Sequence, residues 1–125
     1  MNTTYSSSAA HGLAPGVALV TGGGQRIGRA ICNTLAEAGW AVAIHHLHSS
    51  AEAEDLAAGI KGRGGKAATI LADLADDEAV GKLVARASAE LGTVTCLINN
   101  ASVFQPDNVL NASANSWDRH IDINL

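Results

Sequence analysis

Aromatic residues are nearly missing from this chain. Phe, Tyr and Trp make up 3% of its 125 residues, so a core has to be built from Ala, Val, Ile and Leu. Charge is sparse too, at 16% against 47% hydrophobic residues, the balance of a folded α/β chain. The net charge of −4 argues against nucleic acid as a partner. Only two cysteines occur, Cys32 and Cys96, one in a predicted helix and one in a predicted strand. They read as small buried hydrophobes in a reducing compartment rather than as a disulfide. No apolar run approaches the ~20 residues of a membrane span. Residues 1–16 contain no Lys or Arg and no apolar segment, which excludes a secretory signal. The expectation is a disordered leader over residues 1–15, one domain over 16–125, no membrane partner and a cytoplasmic location.

What is present centres on one turn. The apolar stretch Val17-Ala18-Leu19-Val20 runs into Thr21-Gly22-Gly23-Gly24-Gln25-Arg26-Ile27-Gly28. A helical pattern follows, with Ile27, Ala30, Ile31, Leu35 and Ala38 on one side and Gly39 as its stop. A buried strand, a glycine turn and a helix start together form a phosphate cradle. The glycines let the backbone come close, and the free N–H groups of the helix end point at the anion. Arg26 stands at that helix start, a poor place for a cation unless an anion sits beside it.

The rest of the chain repeats the pattern. A first strand is expected over Val17–Thr21 and a second over Ala41–Ile44, both unalternating and suited to a parallel sheet covered on two faces. Ser49 and Glu52 have the spacing of a capping box, with Ala53, Leu56, Ala57 and Ile60 as the face of the helix it opens. Glycines 62, 64 and 65 end that helix, and a third strand spans Lys66–Leu71. Asp76 caps a third helix whose face is Val80, Leu83, Val84, Ala87 and Leu91. A fourth strand, Val94–Ile98, opens into Asn99-Asn100-Ala101-Ser102, and Ser113 starts a last helix with Trp117, Ile121 and Leu125 on one stripe. This is the N-terminal half of a Rossmann-type, doubly wound α/β sheet of order 3-2-1-4, with right-handed crossovers and helices on both faces. Its crevice lies between the ends of strands 1 and 4, where the glycine turn and the Asn99–Ser102 loop face each other.

One further absence sets the ligand. An NAD-selective fold places Asp or Glu after the second strand, on the ribose hydroxyls. Here His45, His46, His48 and Ser49 stand there, so a 2′-phosphate meets no carboxylate and NADP(H) is favoured over NAD(H). The histidines have no Cys or acid cluster beside them, so no metal site is expected. Asp73, just past strand 3, reads either as a strand-end residue or as the acceptor of an adenine amino group. Asn99, Asn100 and Ser102 read either as a turn or as a clamp against the cofactor. Taken alone, Phe104 reads as core and Asn124 as a polar break in an apolar stripe.

In this order and at these spacings, the turn, the Asp73-Leu74 pair, Asn99-Asn100-Ala101 and Ile123-Asn124-Leu125 resemble the short-chain dehydrogenase/reductases. The resemblance covers about residues 15 to 125. That family's usual turn has a glycine where Arg26 stands. Arg26, Ser102 in place of a glycine, and the histidine-rich 45–49 segment are similar to the pteridine reductase branch, which uses NADPH. The resemblance implies roles. Thr21, Gly22, Gly24, Arg26, Ile27 and Gly28 belong to the pyrophosphate turn, and His45, His48 and Ser49 lie toward the 2′-phosphate. Asp73 and Leu74 hold adenine. Asn100, Ala101 and Ser102 meet the ribose and nicotinamide side. Ser102 also touches substrate, and Phe104 stacks on a pterin ring. Asn124 is the family's active-site asparagine, anchoring a water in a proton relay. His48 departs from the branch, which carries an arginine there.

The family places a serine and a Tyr-x-x-x-Lys set beyond that asparagine, the tyrosine serving as general acid. These 125 residues have one tyrosine, Tyr5, and no such set. The resemblance therefore implies the cofactor-binding half of an NADPH-dependent reductase acting on a small molecule, a pterin or dihydrofolate-type C=N bond or a carbonyl. That enzyme would be about twice this length and a homotetramer, and this half would be inactive alone with strand 4 as an open edge. The alternatives are a non-catalytic dinucleotide-binding module and a 3-oxoacyl or other carbonyl reductase of the same family.

Overall fold

The computed structural model describes residues 14–102 and 113–124. Eight elements follow in order: β1 (Val17–Val20), α1 (Arg26–Glu37), β2 (Ala41–His46), α2 (Ser50–Gly62), β3 (Ala67–Leu71), α3 (Asp77–Leu91), β4 (Val94–Ile98) and α4 (Ala114–Asn124). The four strands are parallel, in the order β3-β2-β1-β4. The chain builds outward from β1 to β3, then returns to the other side of β1. That reversal opens a crevice at the C-terminal ends of β1 and β4.

Strand alternation sends apolar side chains to both faces. Val20, Val42 and Ile44 pack with Cys32 of α1 and Leu56, Ala57 and Ile60 of α2 on one face. Leu19, Ala43 and Ile70 pack with Leu83 and Ala87 of α3 on the other. Leu19 and Ile44 are wholly buried, each contributing about 1.5–3 kcal/mol relative to an exposed side chain. Helices thus cover both sides of the sheet, as the unalternating strands imply.

Helix ends follow local chemistry, with one correction. Asp76 caps α3, its carboxylate accepting from the N–H groups of Glu78 and Ala79. Gly39 follows α1 at φ +96, left-handed as a stop position requires. The capping box at Ser49 does not form. Ser49 occupies the N-cap position but makes no side-chain capping bond. Glu52 instead accepts from the Gln25 amide at 3.1 Å, tying α2 to the end of the glycine turn.

Two other expectations change. β2 runs two residues further than its apolar run, because His45 and His46 pair in register with Ile70 and Leu71 of β3. Both histidines are buried strand residues rather than loop. In α3, Leu83 and Ala87 are buried, but Val80 and Val84 are 42% and 48% exposed. They border a crevice of about 320 Å³ with Leu97 of β4 and Ile123 of α4. β4 is an edge strand of this sheet, and Leu97 is half exposed on it.

Candidate dinucleotide site

The glycine turn is held from behind by the loop after β4. Thr21 is buried, and its N–H donates to the Ile98 carbonyl at 3.1 Å. Its hydroxyl oxygen accepts from the N–H groups of Asn100 and Ala101, each at 3.0 Å. The Asn100 side-chain amide donates to the carbonyls of Thr21 and Gly22, at 3.2 and 3.0 Å. A methyl group on Gly22 would come within 3.0 Å of the Ala101 Cα, and Gly22 has φ +62. A methyl group on Gly28 would strike the Gly22 carbonyl and lie 2.6 Å from the Asn100 amide nitrogen. These two glycines are required by close approach, and at Gly22 also by a left-handed backbone.

On its other side the turn is held by β2. Gly22 N–H donates to Nδ1 of His45 at 3.0 Å, and Gly23 N–H donates to the His45 carbonyl at 3.0 Å. Nε2 of His45 lies 2.8 Å from the Ala72 carbonyl, just past β3. Burial lowers the His45 pKa from 6.5, with nearby His46 and Arg86 acting the same way and the Ala72 bond opposing them.

The cradle opens toward α1. Gln25 is its N-cap by position but supplies no side-chain capping bond, and the first turn has no acid. The leading N–H groups of such a helix have no partner within it. Arg26 begins α1 at φ +53, the one non-glycine residue in the left-handed region among the described residues. That conformation costs about 1–3 kcal/mol in a non-glycine residue. Its side chain is exposed and makes no bond or ion pair among the described residues.

Around this cradle lies a cavity of about 570 Å³. Gly22, Arg26 and Ile27 form one wall. His45, His46, Leu47, His48 and Ser49 form the β2 wall, and Ala72 and Leu74 the end of β3. Asn100, Ala101, Ser102 and Ile123 complete it. Residues from four strand ends therefore meet in one crevice, and among the described residues no carboxylate stands on its wall.

Several predicted residues sit behind the wall rather than on it. Thr21 and Gly28 brace and shape the turn, and Gly24 packs toward Ser49 and Ala53. The Asp73 carboxylate accepts from the Ala75 N–H at 3.0 Å, in the turn that precedes α3. His45 lies on the wall with both ring nitrogens already bonded. Asn124 closes α4, though its side chain and the whole of Phe104 lie outside the described residues. His46 was placed by the sequence at the end of the second strand but given no role of its own. It is 5% exposed, it borders the crevice, and its Nδ1 has no partner among the described residues. The available signal was the period of two, which puts His46 on the buried face of Ile44. Among the described residues, no three His, Cys, Asp or Glu side chains are grouped to hold a metal ion.

A parallel 3-2-1-4 sheet with a braced glycine turn at its switch point defines a nucleotide-binding α/β class. The chain belongs to the short-chain dehydrogenase family, whose model matches residues 16–125. It is similar to the 3-oxoacyl-[acyl-carrier-protein] reductase FabG of Staphylococcus epidermidis, 34% identical over 108 residues, covering 86% of this chain and 44% of that protein. Among solved structures it is similar to FolM alternative dihydrofolate reductase 1 of Brucella canis, complexed with NADP. Identity there is 45% and the TM-score 0.82, over 87% of this chain and 44% of that one. A short chain dehydrogenase of Burkholderia cenocepacia, in complex with NADP, is 37% identical with a TM-score of 0.83, over 86% and 44% of the two chains. The chain thus spans 44% of the length of these relatives.

Proposed function

We propose that this crevice binds NADP(H), and that the chain is the cofactor-binding part of an oxidoreductase. One observation carries the reading. Arg26 is held in a strained left-handed conformation at the uncapped, acid-free start of α1, and no carboxylate among the described residues lines the crevice. The strain and the unpaired cation both gain a purpose when a phosphate is bound. Solved relatives complexed with NADP support the same choice.

In this reading Gly22, Gly24, Arg26, Ile27 and Gly28 form the pyrophosphate turn, with Thr21 and His45 bracing it. His48, Ser49 and Arg26 receive the 2′-phosphate. Leu74 borders the adenine with Asp73 in the turn behind it, and Asn100, Ala101 and Ser102 border the ribose and nicotinamide side. Ile27, 71% exposed on the crevice wall, offers an apolar surface that a bound dinucleotide covers. The cofactor, when bound, supplies or accepts a hydride. This chain's part is to bind and orient it, with Asn124 proposed as the catalytic asparagine that anchors a proton-relay water.

For the substrate we favour a pterin or dihydrofolate-type C=N bond, with Ser102 and Phe104 as its contacts. The likeness to an alternative dihydrofolate reductase at 45% identity supports it. A 3-oxoacyl or other carbonyl substrate is the second reading, supported by the FabG likeness. A homotetramer and a cytoplasmic setting belong to the same proposal. The 125 residues hold no Tyr-x-x-x-Lys, so the chain by itself should bind NADPH without oxidising it.

Calorimetric titration with NADPH and NADH tests the cofactor. Tighter binding of NADPH is expected, with Arg26→Ala narrowing the gap. Equal affinity for both, or none for either, overturns the reading.

A further inference from the structure

The ring of His45 stands between segments that meet only on folding. Its Nδ1 takes a hydrogen bond from Gly22 N–H at 3.0 Å, and its Nε2 lies 2.8 Å from the Ala72 carbonyl. The backbone N–H can only donate and the carbonyl can only accept. Both bonds therefore coexist in a single form of the ring, the neutral imidazole with its proton on Nε2. Backbone bonds reinforce the join: Gly23 N–H donates to the His45 carbonyl, and Ala72 N–H donates to the His46 carbonyl at 3.1 Å. The residue is 3% exposed, so water does not readily replace either partner.

Resting on the dinucleotide reading above, we propose that His45 is a positioning residue for cofactor binding. Its neutral, Nε2-protonated ring holds the glycine turn in the shape that receives the pyrophosphate, and a proton added at Nδ1 releases the turn.

The reason is geometric. In the imidazolium, Nδ1–H points at Gly22 N–H, and two donors face each other at a hydrogen-bond distance. Gly22 has little freedom to yield. Its carbonyl is held by the Asn100 amide, and its Cα packs close to Ala101. A shift at Gly22 thus reaches both walls of the crevice. The charged and titratable groups nearby are His46 beside it on β2, Arg86 of α3, Asp73 after β3, and Arg26 and His48 on the crevice wall. Arg86 donates to the Leu71 carbonyl at 2.8 Å, one residue before Ala72. Asp73 is turned to the Ala75 N–H. Burial, His46 and Arg86 all disfavour a proton on His45, so its titration in the fold lies below 6.5. A ligand that needs the neutral ring binds at constant strength above 6.5 and weakens as pH falls through the lowered value.

The test compares NADPH affinity of the 125-residue chain with that of His45→Asn, from about pH 8 down to about pH 5. The asparagine oxygen can accept from Gly22 N–H and does not titrate. Wild type should lose up to about tenfold in affinity per pH unit once His45 protonates. The Asn variant should bind within about threefold of wild type at the alkaline end and lack that loss. Every other charged or titratable group is common to both proteins, so the difference belongs to His45. His45→Phe, which leaves Gly22 N–H and the Ala72 carbonyl unpaired, should bind more weakly at every pH. Parallel pH profiles for wild type and the Asn variant overturn the proposal. A cofactor-free measurement guards against a misfolded variant. Nitrogen-15 NMR of the wild-type ring should show a bare Nδ1 and a protonated Nε2 near neutral pH, with the Gly22 amide shifting as the ring titrates. The opposite tautomer overturns the proposal. The expected NMR signature without NADPH binding at any pH overturns the dinucleotide reading and, with it, the pyrophosphate part of this one.

Discussion

The Asn100 amide nitrogen lies 3.0 Å from the Gly22 carbonyl oxygen, across 78 residues of chain. This bond closes the crevice at its base. It joins the first strand's turn to the last strand's loop, and Gly28 packs against both partners at once. A polar loop after β4 thereby decides the shape of a turn that precedes α1.

The Thr21 hydroxyl should matter more than its methyl group. Thr21→Val keeps the shape but leaves the N–H groups of Asn100 and Ala101 without their acceptor. Each part-buried unpaired group costs about 1–3 kcal/mol, so urea unfolding should show a loss in that range or above. Thr21→Ser should recover most of it. A double-mutant cycle with Asn100→Ala should be non-additive, because the two side chains share one network.

Glycine substitutions should divide by surroundings. Gly28→Ala places a methyl group against the Gly22 carbonyl and the Asn100 amide, and both a lower melting temperature and lost NADPH binding are expected. Gly81 lies inside α3 with nothing within 4 Å of an added methyl group. Gly81→Ala should stabilise by about 0.5–1 kcal/mol, through helix propensity and a less flexible unfolded chain. Thermal unfolding of both variants checks the pair.

Arg26→Gly should separate stability from binding. Glycine adopts φ +53 without strain but loses about 0.5–1 kcal/mol more chain entropy on folding, so chemical denaturation should show a net gain of up to about 2 kcal/mol. NADPH affinity should fall, since the cation on the crevice wall is gone. A glycine variant that is both less stable and equally tight-binding would contradict this view of the residue.

The two free cysteines should react at different rates. Cys32 is wholly buried beneath the turn, its thiol facing the Gly23 carbonyl at 3.7 Å, and burial pushes its pKa up to about 12. Cys96, on β4, is only partly buried. Timed iodoacetamide labelling with mass spectrometry should modify Cys96 first, with Cys32 following only on unfolding.

Local patterns determined much of this protein. Val17–Val20, Ala41–Ile44 and the third and fourth apolar runs specify strands covered on both faces. Asp76 and Gly39 specify helix ends that the fold uses. From those elements the 3-2-1-4 order and the position of the crevice follow, because parallel strands with helical crossovers leave few topologies. Arg26 was legible as an oddity at a helix start, since its charge there runs against the helix dipole.

Only the tertiary structure decided which polar groups brace the site and which face into it. Strand, helix and turn signals act over a few residues, whereas a hydrogen bond between Thr21 and Asn100, or Gly22 and His45, depends on which strand lies next to which. The same distant pairing made β2 two residues longer than its apolar run, buried His46 with no partner for Nδ1 among the described residues, and drew Glu52 away from Ser49 toward Gln25. It also gave Arg26 its left-handed backbone, because the turn is clamped at Gly22 and Gly28 and must re-enter a helix between them. Periodicity carries burial along an element, but partners across the crevice are chosen by packing, and packing is not written in any short stretch of the chain.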